Sequence, residues 1–334
     1  IVGPGAAYLR AGFLVLIITD GIFACGSIFR AAGESAISAG PMLASSVITF
    51  AVMPLFMHGA GPIPELGLGG AGWGLGAGRL VGCAVMMAVL LGGLSRIRLR
   101  LGHLWPAAAP MRRILQLAWP ATGQVLFERS ANIVLVGLVS RFGPAALAAW
   151  GVGNRVNNMG LTPGYAFQGS ARTLVGQNIG ALLPDRARRS AWAALGAVGA
   201  VMAVTAACVF VWAEAIVRFF GMQGDGVAAA TACMRVLSLG MGFEAARRTL
   251  SGIFEGAAAA TPPMLVEAAV RWGVLLPGAW LLSTPLGGRE LGVWWAVAGA
   301  QLAGGAALLL WFVTGWQKRV QALTARPAEG GAAP

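Results

Sequence analysis

The sequence is short of charge. Lysine, arginine, aspartate and glutamate make up 11% of its 334 residues, against about 25% in soluble domains. With 57% hydrophobic residues and a mean hydropathy of +0.73, this excludes an ordinary soluble fold and indicates an all-α polytopic membrane protein. Histidine is nearly missing: His58 and His103 are the two in the chain, which excludes a multi-histidine metal site. Cys25, Cys83, Cys208 and Cys233 stand singly in apolar segments without C-x-x-C spacing, the pattern of small buried residues. There is no H-E-x-x-H. The G-x-G-x-x-G match at Gly67–Gly72 follows a loop rather than a strand, so no nucleotide site is indicated. These absences point away from an enzyme, and no cofactor is expected. The chain opens at Ile1 without a basic region leading into a short apolar core, so no signal peptide is read and an upstream segment is expected.

What is plentiful is apolar sequence in membrane-length runs. Nine spans are predicted, at 6–29, 36–58, 70–94, 114–140, 145–172, 190–212, 228–254, 262–283 and 291–316. Each meets the ~20 residues needed to cross hydrocarbon. The net charge of +12 would suggest nucleic acid in a soluble protein. Here the basic residues sit in loops, where they act as orientation signals and contact anionic lipid, so no nucleic-acid partner is expected. Arg30, the group Arg96, Arg98, Arg100, Arg112 and Arg113, the run Arg186, Arg188 and Arg189, and Lys318, Arg319 and Arg326 fall on alternate loops. The opposite loops carry Arg141, Arg218 and Arg289, offset by Glu65, Glu214, Asp225 and Glu290. The basic side is therefore expected in the cytoplasm, with the C-terminus.

A weak internal repeat links the first three spans to the last three. Arg10 and Arg235 stand 225 positions apart, as do Leu66 and Leu291, while Pro41 and Pro263 stand 222 apart. Spans four to six then require partners ahead of residue 1, giving two six-helix bundles with this chain starting partway through the first. Paired repeats of this kind are common in secondary transporters. The expected division is 1–94 for the last three helices of a first bundle, 95–113 for a basic cytoplasmic linker, 114–318 for a complete second bundle and 319–334 for a cytoplasmic tail. Small residues at four-residue spacing, Gly74, Gly78 and Gly82 in one repeat and Gly299, Ala303 and Ala307 in the other, are expected to let helices approach closely.

Polar residues deep in a span normally face a bundle interior or a wet cavity. In the fourth span Gln124, Glu128 and Asn132 share one helix face, with Glu128 near the middle. In the fifth, Asn154, Asn158 and Thr162 form a similar face beside Arg155, before the helix passes Pro163 and ends in Gly176–Ala181. Glu244 lies in the seventh span with Arg248 one turn later, and Asp20 in the first is one residue from its repeat equivalent. Two readings stay open. Glu128 and Glu244 project into a cavity and bind a coupling ion, either H+ or Na+, with Asn132 and backbone carbonyls as further oxygens for sodium. Alternatively they are structural ion pairs, Glu128 with Arg155 or Arg129, Glu244 with Arg248, and Glu267 with Arg271.

Several motifs, taken in order, resemble the MATE (multidrug and toxic compound extrusion) transporters. They are Leu117-Ala118-Trp119-Pro120, Phe127-Glu128, Phe142-Gly143-Pro144-Ala145, Val175 to Ala181 with its G-Q-N-x-G-A loop, and Leu66 to Ala71. The resemblance implies that the nine spans are helices four to twelve of a two-bundle, twelve-helix protein. It implies a secondary antiporter, working as a monomer in a bacterial-type inner membrane, that exports amphipathic or cationic organic compounds in exchange for Na+ or H+ by alternating access. Glu128 is similar to the glutamate of the family's second-bundle cation site, and Glu244 to the acid of its tenth helix. Arg129, Arg155, Arg247 and Arg248 depart from that pattern. They keep open a lipid-linked precursor flippase of the same superfamily, beside a non-transporting membrane subunit or enzyme.

Overall fold

The computed structural model describes residues 2–59, 65–93, 95, 97, 107–224 and 226–324. They are helical throughout, with no strand among the described residues. The chain divides into two compact units, Ile1–Ala107 and Ala108–Pro334.

The first unit holds α1 (Val2–Ala31), α2 (Ser35–His58) and α3 (Gly67–Gly92). Helix α3 packs along both of the others, and its glycines explain how. A Cβ on Gly74 would lie 2.6 Å from the Met53 Cα, and one on Gly82 2.8 Å from the Ser45 Cβ, both on α2. One on Gly76 would lie 2.5 Å from Val15 of α1. The stripe expected at 74, 78 and 82 is thus the α2 contact, and Gly72 and Gly76 make a second stripe toward α1. Where lipid offers no hydrophobic drive to associate, such close approach supplies the dispersion contact that holds helices together. Outward residues are apolar, such as Phe50 at 86% exposure, because this surface meets acyl chains rather than water.

The second unit comprises α4 (Ala108–Ser140), α5 (Pro144–Gly160), α6 (Thr162–Gly180), α7 (Pro184–Val211), α8 (Ala213–Phe219), α9 (Gly226–Gly256), α10 (Thr261–Ala268), α11 (Leu276–Ser283) and α12 (Arg289–Thr324). A π-helical turn, Ala269–Leu275, joins α10 to α11. Helix α9 is the hub: α5, α6, α7, α8 and α12 all pack on it. Its glycines admit α6, since a Cβ on Gly252 would meet the Gln168 backbone and one on Gly256 the Arg172 backbone. Trp150 of α5 stacks on Trp294 of α12 with centroids 5.4 Å apart.

Several expectations change. The fifth span, expected as one helix over 145–172, is broken at Leu161 into α5 and α6. Pro163 has no N–H to continue the ladder and sits in the first turn of α6. The linker expected at 95–113 is in part helix, since α4 already begins at Ala108. Arg96, Arg98, Arg100, His103, Asp225 and Arg326 lie outside the described residues. On α12, Gly299 is exposed with open space around it. The close approaches are made instead by Gly304, beside Val270 and Arg247, and Gly305, against the Phe243 backbone. Helix α8 was not expected.

Among the described residues, seven stretches are long and apolar enough to cross a membrane: α1, α2, α3, α7, α9, α10 through α11, and α12. The two further expected spans fall on α4, which carries Gln124, Glu128, Arg129 and Asn132, and on α5 with α6, which are 17 and 19 residues long. Polar residues and the break are what set these two apart from the seven.

Candidate functional site

Three acids and three arginines meet inside the second unit. Helix α9 supplies Glu244, Arg247 and Arg248; α4 supplies Glu128; α10 supplies Glu267 in its last turn, and the π-helical turn carries Arg271. Glu244 is 2% and Glu267 1% exposed. Burial at that level requires each carboxylate to be matched by charge and hydrogen bonds.

Each one is. The Arg247 guanidinium donates to Glu244 through Nε at 2.9 Å and Nη2 at 2.7 Å, and its Nη1 donates to Glu267. Arg271 Nε donates to Glu267 at 2.8 Å, and its Nη2 stands 3.6 Å from Glu244. Arg248 Nη2 lies 2.9 Å from Glu128 Oε1 and 3.0 Å from Glu244 Oε1, so one nitrogen bridges α4 and α9. The Arg248 guanidinium carbon also sits over the Tyr165 ring of α6, 4.4 Å from its centroid.

The local sequence makes this possible. Positions 244, 247 and 248 share one face of α9 at i, i+3 and i+4. Glu267 and Arg271 straddle the junction of α10 and the π-helical turn. A π-turn widens the backbone and re-aims side chains, a device common at functional sites. Here it leaves Arg271 reaching both Glu267 and Glu244.

Beside the network is a cavity of about 80 Å³, room for a few water molecules. Glu128, Glu244, Arg248 and Arg271 line one part of it, and Asn132, Asn154, Asn157, Asn158 and Gln301 another, with Arg129 and Trp150 also on the wall. Gln124, one turn before Glu128, donates to Ser251 of α9 at 3.1 Å and ties α4 down. Asn158 donates to the Asn154 carbonyl and side-chain oxygens at 2.8 and 3.1 Å.

The structure therefore brings together Glu128, Glu244, Asn132, Asn154 and Asn158, with Gln124 one helical turn away. Asp20 lies on an exposed face of α1 in the first unit. Glu128 is paired with Arg248, not with the expected Arg155 or Arg129. Arg155 is exposed on α5, because its place one residue after Asn154 turns it off the cavity face. Thr162 begins α6 beyond the break, which interrupts the expected 154–158–162 face. Sequence reasoning missed Gln301, the buried amide of α12, as a cavity residue; Asn157, in the polar run of α5, lines the cavity too. The signal for Gln301 was present, as a lone amide midway through an apolar span.

The family model MatE matches residues 120–281, which include all three acids and all three arginines of this network. A probable multidrug resistance protein NorM of Deinococcus radiodurans is 29% identical over 306 residues, covering 90% of this chain and 67% of that one. A second, from Mesorhizobium japonicum, is 26% identical over 79% of this chain and 57% of its own length, so this chain spans little more than half of it. Among solved structures, a mutant of the Vibrio cholerae MATE transporter VcmN shares the fold with a TM-score of 0.84 at 18% identity, over 96% of this chain and 70% of that one. Membrane-length helices, a helix order that superposes on solved MATE structures and relatives named NorM agree with the family match: the chain has the fold of the MATE structures and is similar to members of that transporter family.

Proposed function

We propose that the chain forms the greater part of a secondary antiporter that exports amphipathic, often cationic, organic compounds in exchange for protons or sodium by alternating access. The observation that carries this reading is the Glu128–Arg248–Glu244 bridge, which joins the half-buried Glu128 to the buried Glu244 on the wall of a polar cavity. An ionisable group at that depth is costly and normally marks an ion pathway. A cation arriving at Glu128 competes with Arg248, and losing that bridge loosens α4 from α9. Ion occupancy and helix packing are thereby tied together, which is what coupling requires. The relatives named as probable multidrug resistance proteins supply the substrate class.

On this reading α4 and the kinked α5–α6 pair also cross the membrane, with their polar faces turned to the cavity, giving nine spans equivalent to helices four to twelve. The first unit is then half of one bundle and the second unit a whole one. The monomer sits in the bacterial inner membrane with its C-terminus in the cytoplasm, as the basic loops indicate. A flippase would need a cavity of strongly positive charge. Here the three central guanidiniums are matched by three carboxylates, which favours the antiporter.

The test is efflux of a fluorescent organic cation from proteoliposomes holding the full-length protein, under an imposed proton or sodium gradient. Export that follows one gradient and stops on its collapse is expected. Export indifferent to both gradients contradicts the reading.

A further inference from the structure

We propose that Arg248 is a built-in cation that occupies an ion site between Glu128 and Glu244 and keeps alkali cations out. A single Nη2 atom stands 2.9 Å from one carboxylate oxygen and 3.0 Å from the other, and these belong to different helices. Two carboxylates with an aromatic face beside them make a cation receptor. The protein has filled it with its own side chain. Because Arg248 lies one turn along α9 from Glu244, it cannot diffuse away, and a free ion has to compete with an intramolecular partner.

The surrounding charge points the same way. Glu128, Glu244 and Glu267 face Arg247, Arg248 and Arg271, three against three. Arg129 adds a positive charge on the cavity wall with no carboxylate partner among the described residues. A sodium ion entering would find no uncompensated negative charge and would bring the surplus to two.

Oxygen ligands for such an ion are nevertheless in place. Asn157 and Gln301, 8% and 4% exposed, line the same cavity, and their side-chain oxygens have no hydrogen-bond partner among the described residues. Sodium demands several oxygens, and these two amides with the two carboxylates would supply them once the guanidinium is gone. A proton needs no vacated space, so it remains the ion that Glu128 can take while Arg248 stays.

The inference rests on reading the cavity as the ion-coupling site, yet its test reads binding rather than transport, so the two can fail separately. The full-length protein is purified in detergent and melted in sodium chloride and in choline chloride at equal ionic strength, with radioactive sodium binding measured in parallel. The wild type is expected to melt alike in both salts and to bind no sodium saturably. Arg248→Gln is expected to gain a saturable, sodium-specific rise of several degrees together with sodium binding; recovery of folded protein only in sodium would be the same result in stronger form. Arg248→Lys keeps the charge and stays indifferent. Glu128→Gln combined with Arg248→Gln loses the sodium response because one of the two carboxylates is gone. Saturable sodium binding by the wild type overturns the proposal, as does an Arg248→Gln protein that ignores sodium or folds in neither salt.

Discussion

Helix α3 meets its neighbours through glycine, and helix α9 meets many of its own through charge. In residues 2–93 the described buried polar groups are the serines Ser38 and Ser45, and backbone approaches backbone at Gly70, Gly74 and Gly78. Along α9, Gly252 and Gly256 serve the same end and Gly240 admits the Gln301 side chain, but the stretch between 240 and 252 carries Glu244, Arg247 and Arg248, all buried. Glycine packing depends on volume alone and tolerates no added atom. Charge packing depends on balance and tolerates paired changes. The contrast separates a region built to pack from one built to hold charge where an ion can compete for it.

Three substitutions sharpen it. The largest loss is expected from Glu267→Gln, which leaves Arg247 and Arg271 sharing Glu244. Breaking a buried pair costs about 3–5 kcal/mol. Thermal unfolding in detergent should show it, and Arg271→Gln added to the same protein should recover much of it, because balance returns. Gly74→Val in α3 should cost about 1–3 kcal/mol by overpacking, and no change of charge elsewhere should rescue it. Gly299→Ala, with nothing within 4 Å of the new methyl, should stay within about 0.5 kcal/mol of the parent. If Gly299→Ala matched Gly74→Val, the glycine stripes would not be what packs these helices.

Composition and spacing made much of this visible. Apolar length announced the membrane helices, and four-residue glycine spacing announced the α2 face of α3. The same spacing misled on α12, where Gly299 points outward and Gly304 and Gly305 carry the contact. A stripe fixes a face but not which face the neighbour takes. Glu128 and Glu244 were legible because a carboxylate deep in an apolar run is conspicuous. Their partners were only half legible. Glu244–Arg248 and Glu267–Arg271 follow helical spacing, but Glu128–Arg248 joins residues 120 positions apart, which no local pattern encodes. The π-helical turn carries no sequence mark either. It coincides with Arg271 reaching two acids at once, a tertiary contact.

Glu128 is the residue on which the proposed coupling turns, and without it α4 stays tied to α9 through the Gln124–Ser251 hydrogen bond. Arg248 keeps Glu244 at 3.0 Å and the Tyr165 ring when Glu128 is gone, so Glu128→Gln strands no guanidinium. The most direct measurement is the melting temperature of that variant in detergent, taken alongside gradient-driven efflux from proteoliposomes. A melting temperature close to wild type with efflux lost is the expected result. A stable Glu128→Gln protein with undiminished gradient-driven efflux would contradict it.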